Sequence, residues 1–587
     1  MTAPLSVSPS APVSPSDAVL LPTAVILVKN RAGTFVPCRA LLDSGSQLHF
    51  VTTRLANQLQ LVKTKSSATV SGIGDANFST EEYSTFIKEY LDLNHKSLVT
   101  NEVFQQCKYF LPHHCNIKDH SSTTKLRVVF DGSASTTSGF SLNDLLMAGP
   151  TIQPKLFNIL IRFRTFHIAL TGDICKMYRC VRVTPPDNMF QCILWRESPQ
   201  ENFRIYKLDT LTYGTKPASF LALRAMHQLA ADESSTYPIG VETVRRDFYV
   251  DDLISGGDSM EEVQNIKPQT TSLLARGNFK LRKWCYNSPD ILRDIPDIDK
   301  ESFLKFDDGS DITKALGLVW DPVKDKLLFL FVPQRELGKN SKRSALSTLA
   351  RCYDPLGLMG PTLTKAKILL QHMWRDKPEW DESLPQSLNT AWSAFCNGFA
   401  DIQHLSFPRY ALQPGTITEI HAFCDASLEA YRACVYTRSA KDSKVQVHLL
   451  CSKARVAPLK TITVPKLELC AATLLAQLLD SSTVLSWVRE EPSKFNVFVA
   501  NRISTIHQLT EGMRWHYVPT EMNPAGILSK GATPQELLGS SLWMHGPSFL
   551  RAVEASWPRM CLSQPKLPEL RQKVLLAAHD RNDISLS

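Results

Sequence analysis

The fold of this chain is decided by Asp247-Phe248-Tyr249-Val250-Asp251-Asp252-Leu253-Ile254-Ser255-Gly256-Gly257. Apolar and aromatic residues lead into two adjacent acids, apolar residues lead out, and a glycine pair follows. This pattern predicts a β-hairpin with Asp251 and Asp252 at its bend. Two carboxylates in an apolar hairpin repel each other and resist the loss of water, so we expect them to require a cation.

A third acid follows a strand-like segment upstream. The residues His167-Ile168-Ala169-Leu170 predict a strand, and Thr171-Gly172-Asp173-Ile174 follows directly. We expect Asp173 to lie at the end of this strand and to join the two acids of the hairpin. Carboxylates that arrive from separate strand ends can hold two divalent metals, as they do in enzymes that join nucleotides.

Together with the motifs below, these stretches resemble the Pol polyprotein of BEL/Pao-type long-terminal-repeat retrotransposons. The resemblance runs from about residue 20 to about residue 558, with gaps. It implies a multidomain α+β fold. The fingers, palm and thumb of a reverse transcriptase, with a ferredoxin-like palm, would be followed by an RNase H-like α/β domain and preceded by a partial all-β protease remnant. A Tyr-x-Asp-Asp box alone would be weak support, because adjacent acids at a turn are often only solvated.

The resemblance also divides the chain into segments. We expect a disordered tail rich in Ser, Pro and Ala (1–18), an aspartic protease remnant (19–80), a linker (81–121), the fingers and palm (122–341), thumb or connection helices (342–412), a degenerate RNase H-like domain (413–535) and a C-terminal spacer (536–587).

The activity implied by the resemblance is RNA-directed DNA polymerisation. Deoxynucleotides would be added to a primer 3′-hydroxyl with the help of two Mg²⁺ ions, which Mn²⁺ can replace. The implied partners are an RNA or DNA template–primer duplex and deoxynucleoside triphosphates, and the family also allows a homodimer. Basic side chains of the thumb would hold the duplex backbone without reading its sequence.

The family's catalytic residues map onto the acids already singled out. Asp173, Asp251 and Asp252 would hold the metals, with the backbone carbonyl of Ile174 as a further ligand. Lys283, in a basic stretch after a helix predicted from Met260 to Arg276, would protonate the departing pyrophosphate. The three basic residues of this stretch, Lys280, Arg282 and Lys283, are equally compatible with an exposed face.

Five other residues match the nucleotide-binding part of the family. Lys125 and Arg127 would contact the triphosphate, and an arginine suits this role because its planar donors grip phosphate oxygens in pairs. Tyr178 would exclude a 2′-hydroxyl by steric contact. Tyr213 would pack near the base and template, and Gly214 would permit a close backbone approach.

The N-terminal part contains Asp43 in an Asp-Ser-Gly loop after an apolar strand. In the retroviral aspartic proteases that it resembles, this carboxylate pairs with its copy from a second chain. The polymerase-like sequence begins too soon for the rest of the protease barrel. We therefore expect an inactive remnant.

The C-terminal third resembles an RNase H domain, whose chemistry requires a carboxylate cluster that binds two metals. Asp425 after a strand, Glu468 and Asp480 match the first three acids. The residues from Leu469 to Leu479 read as one helix, so no strand precedes Asp480, and we expect this acid to cap a helix N-terminus instead.

Two other positions depart from the RNase H pattern. Gly526 stands where the family carries a fourth acid, and Arg432 stands where the family usually has a glycine. We expect the RNase H activity to be lost, and we expect the protease activity to be lost as well.

Composition sets broader limits. A chain of 587 residues is too long for a single hydrophobic core, so several domains are expected. Its 43% hydrophobic and 21% charged residues are typical of a globular protein. The net charge of +8, from 65 basic and 57 acidic residues, permits a nucleic-acid partner. Scattered cysteines and the lack of a signal peptide or a membrane-spanning run favour an intracellular location in the cytoplasm, with the nucleus or retrotransposon particles as alternatives and no membrane partner.

The sequence leaves two other functions open. The chain is also compatible with a non-catalytic remnant that binds nucleic acid or has no function. An active dimeric aspartic protease is a third interpretation, and the short protease segment argues against it.

Overall fold

The computed structural model describes residues 23–29, 35–41, 80–100, 102–117, 126–136, 138–197, 201–288, 304–305, 311–315, 318–329, 340–441, 444–480, 497–510 and 513–558. These residues belong to two compact units. The first unit comprises the residues up to 152 together with 176–228 and 277–279. The second unit comprises residues 153–175, 229–276 and those from 280 onward.

The strands, in chain order, are β1 (Thr23–Lys29), β2 (Phe35–Leu41), β3 (Lys96–Leu98), β4 (His113–Ile117), β5 (Leu126–Phe130), β6 (Ile168–Ile174), β7 (Cys192–Trp195), β8 (Arg204–Leu208), β9 (Phe248–Tyr249), β10 (Asp252–Gly257), β11 (Leu281–Tyr286), β12 (Leu304–Lys305), β13 (Asp311–Ala315), β14 (Leu318–Asp321), β15 (Lys326–Leu328), β16 (Ser406–Pro408), β17 (Thr418–Ala426), β18 (Ala430–Lys441) and β19 (Lys444–Val456).

The α-helices are α1 (Thr80–Asp92), α2 (Leu142–Leu145), α3 (Leu156–Phe163), α4 (Ala218–Asp232), α5 (Pro238–Arg246), α6 (Met260–Arg276), α7 (Lys342–Ala350), α8 (Gly360–Arg375), α9 (Gln386–Gly398), α10 (Val464–Asp480), α11 (Val497–Leu509), α12 (Ala525–Lys530), α13 (Pro534–Leu538) and α14 (Ser541–His545). Short 3₁₀ turns include Met177–Cys180, which bears on the site described below.

The first unit is built from small antiparallel sheets and short helices. Its sheets are the pair β1–β2, the pair β4–β5 and a three-stranded sheet in the order β3-β8-β7. One apolar cluster packs α1 against β5 and β8, and it includes Ile87, Tyr90, Val128, Phe130 and Tyr206. Apolar residues alternate along β5, so one face of this strand is available for the cluster.

The second unit contains the sheet that carries the three acids. Its strand order is β11-β6-β10-β9, and β6 pairs antiparallel with both β10 and β11. Helices α3 and α6 pack against β10. Strand β6 is almost entirely buried, with only Asp173 partly accessible, because it lies inside this sheet and is covered by the helices.

The rest of the second unit adds two sheets and several helices. One sheet has the order β12-β13-β14-β15-β16 and the other β17-β18-β19. Helix α10 packs on β17 and β18, and α8 packs on β19. A single apolar core runs through the unit and includes Ile159 of α3, Trp320 of β14, Trp392 of α9, Tyr436 of β18 and Leu474 of α10.

Two fully buried arginines join distant segments of this core. Arg164 donates hydrogen bonds to four backbone carbonyl groups, those of Pro408, Arg409, Leu449 and Leu450. Arg409 contacts both carboxylate oxygens of Asp325 at 2.7 Å and donates to the carbonyls of Phe163, Phe166 and His167. Buried guanidinium groups are tolerated only when their donors are satisfied, and these two meet that condition.

Several predicted elements are confirmed. Helix α6 has the predicted limits, Met260 to Arg276, and α10 contains the predicted helix from Leu469 to Leu479. One prediction is wrong. Asp480 is the last residue of α10 and not the N-terminal cap of a helix, because the Leu- and Ala-rich helix continues through it. The side chain of Asp480 lies outside the described residues.

No helix within the described ranges is long and apolar enough to cross a membrane. The cysteines in that same part of the chain form no disulfide.

Candidate active site

The predicted hairpin is present, and it forms a tight turn. Tyr249 is the ladder partner of Asp252, so Val250 and Asp251 are the two residues of the turn. The prediction that Asp252 also lies at the bend is wrong, because the turn comes one residue earlier and Asp252 begins β10. Val250 has a φ of 57°, in the left-handed region that a β-branched residue rarely adopts. Its backbone N–H donates to Oε1 of Gln153 at 3.2 Å. This contact helps to hold a strained turn, and such strain is typical of functional sites.

The base of the hairpin is clamped by Asp247. This carboxylate is fully buried and accepts hydrogen bonds from Oγ of Ser255 at 2.6 Å and from Nε of Arg246 at 2.9 Å. Nε of Arg162 lies 3.4 Å away. The sequence alone assigns no role to Asp247, although two arginines precede it directly. Its buried ion pairs fix the strand that leads into the turn.

The register of the sheet brings the predicted acids together. Asp252, the first residue of β10, is the ladder partner of Asp173 on β6. Directly opposed residues of an antiparallel pair project to the same face, with Cα atoms about 4.5–5.5 Å apart. The carbonyl of Asp251 accepts a hydrogen bond from the N–H of Ile174 at 2.9 Å, which ties the turn to the end of β6. Asp173 and Asp252 are therefore paired on one face of the sheet, and Asp251 lies in the adjacent turn.

Two cations face the same carboxylate from β11. Nε of Arg282 lies 3.5 Å and Nζ of Lys283 lies 3.7 Å from Oδ2 of Asp173. Adjacent residues of a regular strand point to opposite faces, but the register shifts between Arg282 and Cys285, and Lys283 has a φ of 55°. This bulge turns both cations toward Asp173. The structure thus places the predicted Lys283 beside the acids.

Arg282 and Tyr353 are further residues at this site that the sequence patterns did not reveal. Arg282 is the ladder partner of Asp173, a fact that only the strand register reveals. Burial raises the pKa of Tyr353, and the nearby Tyr249 and Asp252 add to this effect. In the sequence, Tyr353 stands out only because Tyr353-Asp354-Pro355 interrupts a region of helical periodicity. Nothing in the sequence connects Tyr353 with the hairpin.

The acids have the chemistry that divalent cations prefer, since Mg²⁺ takes carboxylate and carbonyl oxygens. Among the described residues, no three His, Cys, Asp or Glu side chains converge as a ready-made metal-binding group. Arg282 and Lys283 instead provide positive charge near Asp173. The site therefore offers fitting donors whose side chains would have to reorient around a metal. The carbonyl of Ile174 as a ligand stays a prediction.

Tyr178, Tyr213 and Gly214, which are predicted to contact the nucleotide, lie in the first unit. The hydroxyl groups of Tyr178 and Ser219 form a hydrogen bond of 2.9 Å, which fixes the ring of Tyr178 at the turn Met177–Cys180. Tyr178 is partly accessible, so its ring can meet a ligand. Its role as a sugar filter stays a prediction.

Gly214 approaches the backbone of β5 closely, and its predicted approach to the nucleotide stays a prediction. Gly214 has a φ of 93°, and a Cβ at this position would collide with the carbonyl oxygen of Phe130. The hydroxyl of Tyr213 donates to the carbonyl of Val128 at 2.6 Å. The side chain of Asn143 donates to the carbonyl of Gly214 at 2.9 Å and accepts from the N–H of Lys216 at 2.7 Å. Asn143, for which the sequence gave no signal, ties this loop to α2.

Three predicted residues fall outside this description. Lys125 and Asp43 are not among the described residues, and for Arg127 only the backbone, within β5, is described. Their roles in triphosphate binding and in the protease remnant stay predictions.

A second carboxylate group lies on the β17–β18–β19 sheet. Asp425 is near the end of β17, and its ladder partner on β18 is Arg432. Partial burial raises the pKa of Glu468, on α10, and the charge of Asp425 raises it further. The structure thus brings Asp425 and Glu468 within electrostatic range, as predicted.

The position of the missing fourth acid also lies at this sheet. Nδ2 of Asn523 donates to the carbonyl of Cys424, the neighbour of Asp425, at 3.0 Å and anchors the start of α12, which contains Gly526. A Cβ at Gly526 would have room, since the nearest atom, the carbonyl oxygen of Thr520, would be 3.6 Å away.

This part of the chain is similar to a known protein family. Residues 341–498 match the Pao retrotransposon-like RNaseH-like domain. The matched region begins at α7, so it includes the helices predicted to form a thumb or connection as well as the sheet that carries Asp425. The match covers less than a third of the chain. We refer to residues 341–498 as the RNase H-like region.

The chain as a whole is similar to a solved structure. No curated protein is detectably similar to it in sequence. One similar solved structure is that of the foamy viral protease-reverse transcriptase dRH in complex with ds DNA. That protein is 12% identical with a TM-score of 0.47, over 75% of this chain and 70% of that chain.

Proposed function

We propose that this chain is a retroelement Pol protein of the BEL/Pao type that acts as an RNA-directed DNA polymerase. The observation that carries the proposal is the ladder pairing of Asp252 with Asp173, with Asp251 in the adjacent turn. Like charges placed directly opposite each other weaken a sheet, so a fold that keeps them needs a reason other than stability. Holding divalent cations for nucleotidyl transfer is such a reason.

In the proposed reaction Asp173, Asp251 and Asp252 would hold Mg²⁺, and Mn²⁺ can replace it. Bound there, two such ions lower the pKa of a primer 3′-hydroxyl and stabilise the charge on the leaving pyrophosphate. Lys283 already lies 3.7 Å from Asp173 and would supply a proton to the pyrophosphate as it departs. Arg282 would balance charge at the same carboxylate.

The residues that match the family's nucleotide-binding motifs would bind the nucleotide. Lys125 and Arg127 would contact the triphosphate of a deoxynucleotide, and Tyr178 would select the sugar. The loop at Tyr213 and Gly214 would pack against the base. The chain's template–primer partner would be an RNA or DNA duplex, held through backbone phosphates by lysine and arginine side chains.

A specific observation also supports a second candidate, a non-catalytic nucleic-acid-binding remnant. Both Arg282 and Lys283 lie within 4 Å of Asp173, where they compete with a metal for its carboxylate. If that pairing is permanent, the site keeps its charge balance without a metal and performs no chemistry.

Primer extension separates the two candidates. Purified full-length protein is given a primed RNA template, deoxynucleotides and Mg²⁺ or Mn²⁺. We expect metal-dependent extension that falls to background in Asp173→Asn and Asp251→Asn, because both changes remove ligands, while binding of primed template in a filter or anisotropy assay is retained.

Asp258→Asn is the matched control. This exposed acid directly follows β10, at the end of the strand opposite Asp252, so the same substitution should leave extension unchanged. Wild-type protein that binds template but extends no primer with either metal would refute the polymerase and leave the remnant.

A further inference from the structure

Arg432 is a buried cation whose hydrogen-bonding groups find no partner. Its side chain is fully buried, and Nε, Nη1 and Nη2 all lack a hydrogen bond within the described part of the chain. The other two fully buried arginines of the unit, Arg164 and Arg409, are satisfied by carbonyls and a carboxylate. A buried guanidinium without compensation is costly, so Arg432 must have a counter-charge.

The strand register shows where that counter-charge lies. Asp425 on β17 is directly opposite Arg432, so both side chains project to the same face of the sheet. Burial lowers the pKa of Arg432 to about 9, and the negative charges of Asp425 and Glu429 act in the opposite direction. Glu468 on α10 feels the same Asp425 charge. One guanidinium and these carboxylates therefore share a single site.

A divalent metal does not fit this site. RNase H chemistry requires several acids around two metals, yet among the described residues no three potential ligands converge, and Gly526 contributes no side chain. A guanidinium opposite Asp425 would also repel a divalent cation. The residues present thus disagree with the metal centre that the RNase H-like region implies.

We propose that Arg432 is a built-in cation for Asp425 and Glu468, and that it takes the place of the metals in the RNase H-like region. Small side-chain movements or a bridging water are enough to pair the guanidinium with Asp425. The region is then neutralised permanently and folds without metal. Its role is structural, because it shares one apolar core with the sheet that carries Asp173.

A thermodynamic cycle tests the pairing in the full-length protein. Asp425→Asn should lower the Tm by about 3 °C or more when Arg432 is present, because it leaves a buried cation with less compensation. In an Arg432→Met background, which keeps the length of the side chain without its charge, Asp425→Asn should not lower the Tm. Equal effects of Asp425→Asn in the two backgrounds would overturn the proposal.

Mn²⁺ binding tests whether Arg432 takes the place of the metals. The experiment uses the double variant Asp173→Asn/Asp251→Asn, because these substitutions remove the other candidate metal site. In this background, Mn²⁺ titration calorimetry should detect no binding that depends on Asp425. Adding Arg432→Gly should create Mn²⁺ binding that is lost again with Asp425→Asn. Asp425-dependent Mn²⁺ binding with Arg432 intact, or none in a folded Arg432→Gly variant, would overturn the proposal.

Arg432 could alternatively hold an anion, and inorganic phosphate is the probe for this outcome. Stabilisation by phosphate of the wild type but not of Arg432→Met would show an anion site and contradict the built-in cation. An unchanged Tm supports the proposal. None of these readouts involves polymerisation, so the result is independent of the proposed function.

Discussion

Asp252 at the start of β10 lies directly opposite Asp173 near the end of β6. The two acids come from segments far apart in the chain, and the turn at Val250 and Asp251 sets the register that aligns them. The bulge at Lys283 then brings two cations to the same carboxylate. The two negative charges of Asp173 and Asp252 lie close together, and the backbone at Val250 is strained. Functional sites often combine such unfavourable features.

The first prediction concerns metal binding by the paired acids. We expect Mg²⁺ to raise the free energy of unfolding of the wild type by about 2.7 kcal/mol at a hundredfold excess over its Kd. Asp252→Asn should abolish this increase because it removes a ligand. Thermal unfolding with Mg²⁺ or with a chelator measures the effect. Asp258→Asn is the control, and an equal Mg²⁺ effect in Asp252→Asn would exclude these acids as the site.

The second prediction concerns the backbone at Gly214. Gly214→Ala should lower the free energy of unfolding by roughly 2–4 kcal/mol, because the new methyl group meets a positive φ and the carbonyl of Phe130. Gly139→Ala is the matched control, since Gly139 has a φ of 84° but nothing within 4 Å of the new Cβ. Its cost should be only about 1 kcal/mol. Similar costs in denaturant titrations would show that the close approach at Gly214 does not matter.

The third prediction concerns sugar selection by Tyr178. Tyr178→Val should raise ribonucleotide incorporation relative to deoxynucleotide incorporation by tens of fold, since the loss of one steric clash is worth about 1–3 kcal/mol. Tyr178→Phe removes only the hydroxyl that bonds Ser219 and should retain the discrimination. The ratio of kcat/KM for the two nucleotides measures the effect. An active Tyr178→Val variant with unchanged discrimination would assign the residue to packing.

The fourth prediction concerns pH and Asp354, which precedes α8. Burial raises the pKa of Asp354 from 3.8 to about 6. Hydrogen bonds from the N–H groups of Met359 and Leu358 lower the pKa, but their effect is smaller than that of burial. A folded-state pKa above the unfolded value means that the folded state binds the proton more tightly. The stabilisation from this group is complete below pH 3.8 and is lost as the pH rises through 6.

Asp354→Asn cannot ionise, so its stability relative to the wild type should increase as the pH is raised from about 4 to 7. Denaturant titrations at a series of pH values measure this difference. Asp376→Asn, an exposed acid just after α8, serves as the control and should show a constant difference. A constant difference for Asp354→Asn as well would show that the fold does not perturb this carboxyl.

The fifth prediction concerns RNase H activity. We expect no cleavage of RNA in an RNA–DNA hybrid by the wild type, and none by Gly526→Asp, although the new side chain has room. Asp425 would still face Arg432, and Asp480 would still lie at the end of α10. Gly526→Asn controls for the added bulk. Metal-dependent hybrid cleavage by the wild type that disappears in Asp425→Asn would refute the prediction.

The local sequence determined several features of this protein. The hairpin with Asp251 in its turn, the strand that ends near Asp173 and the helix from Met260 to Arg276 follow from side-chain periodicity, and the positive φ at position 214 is accommodated by a glycine. These signals depend only on residues that are neighbours in the chain. For that reason the amino-acid sequence alone is sufficient to predict them.

Tertiary structure decided which residues meet. Strand pairing between distant segments set Asp252 opposite Asp173 and Arg432 opposite Asp425, and a bulge turned Arg282 and Lys283 to one carboxylate. The buried clamp at Asp247 and the bridge formed by Asn143 depend on the same long-range contacts. A shift of one residue in register reverses the face of every side chain, so these contacts are a property of the packed sheets and not of any local pattern.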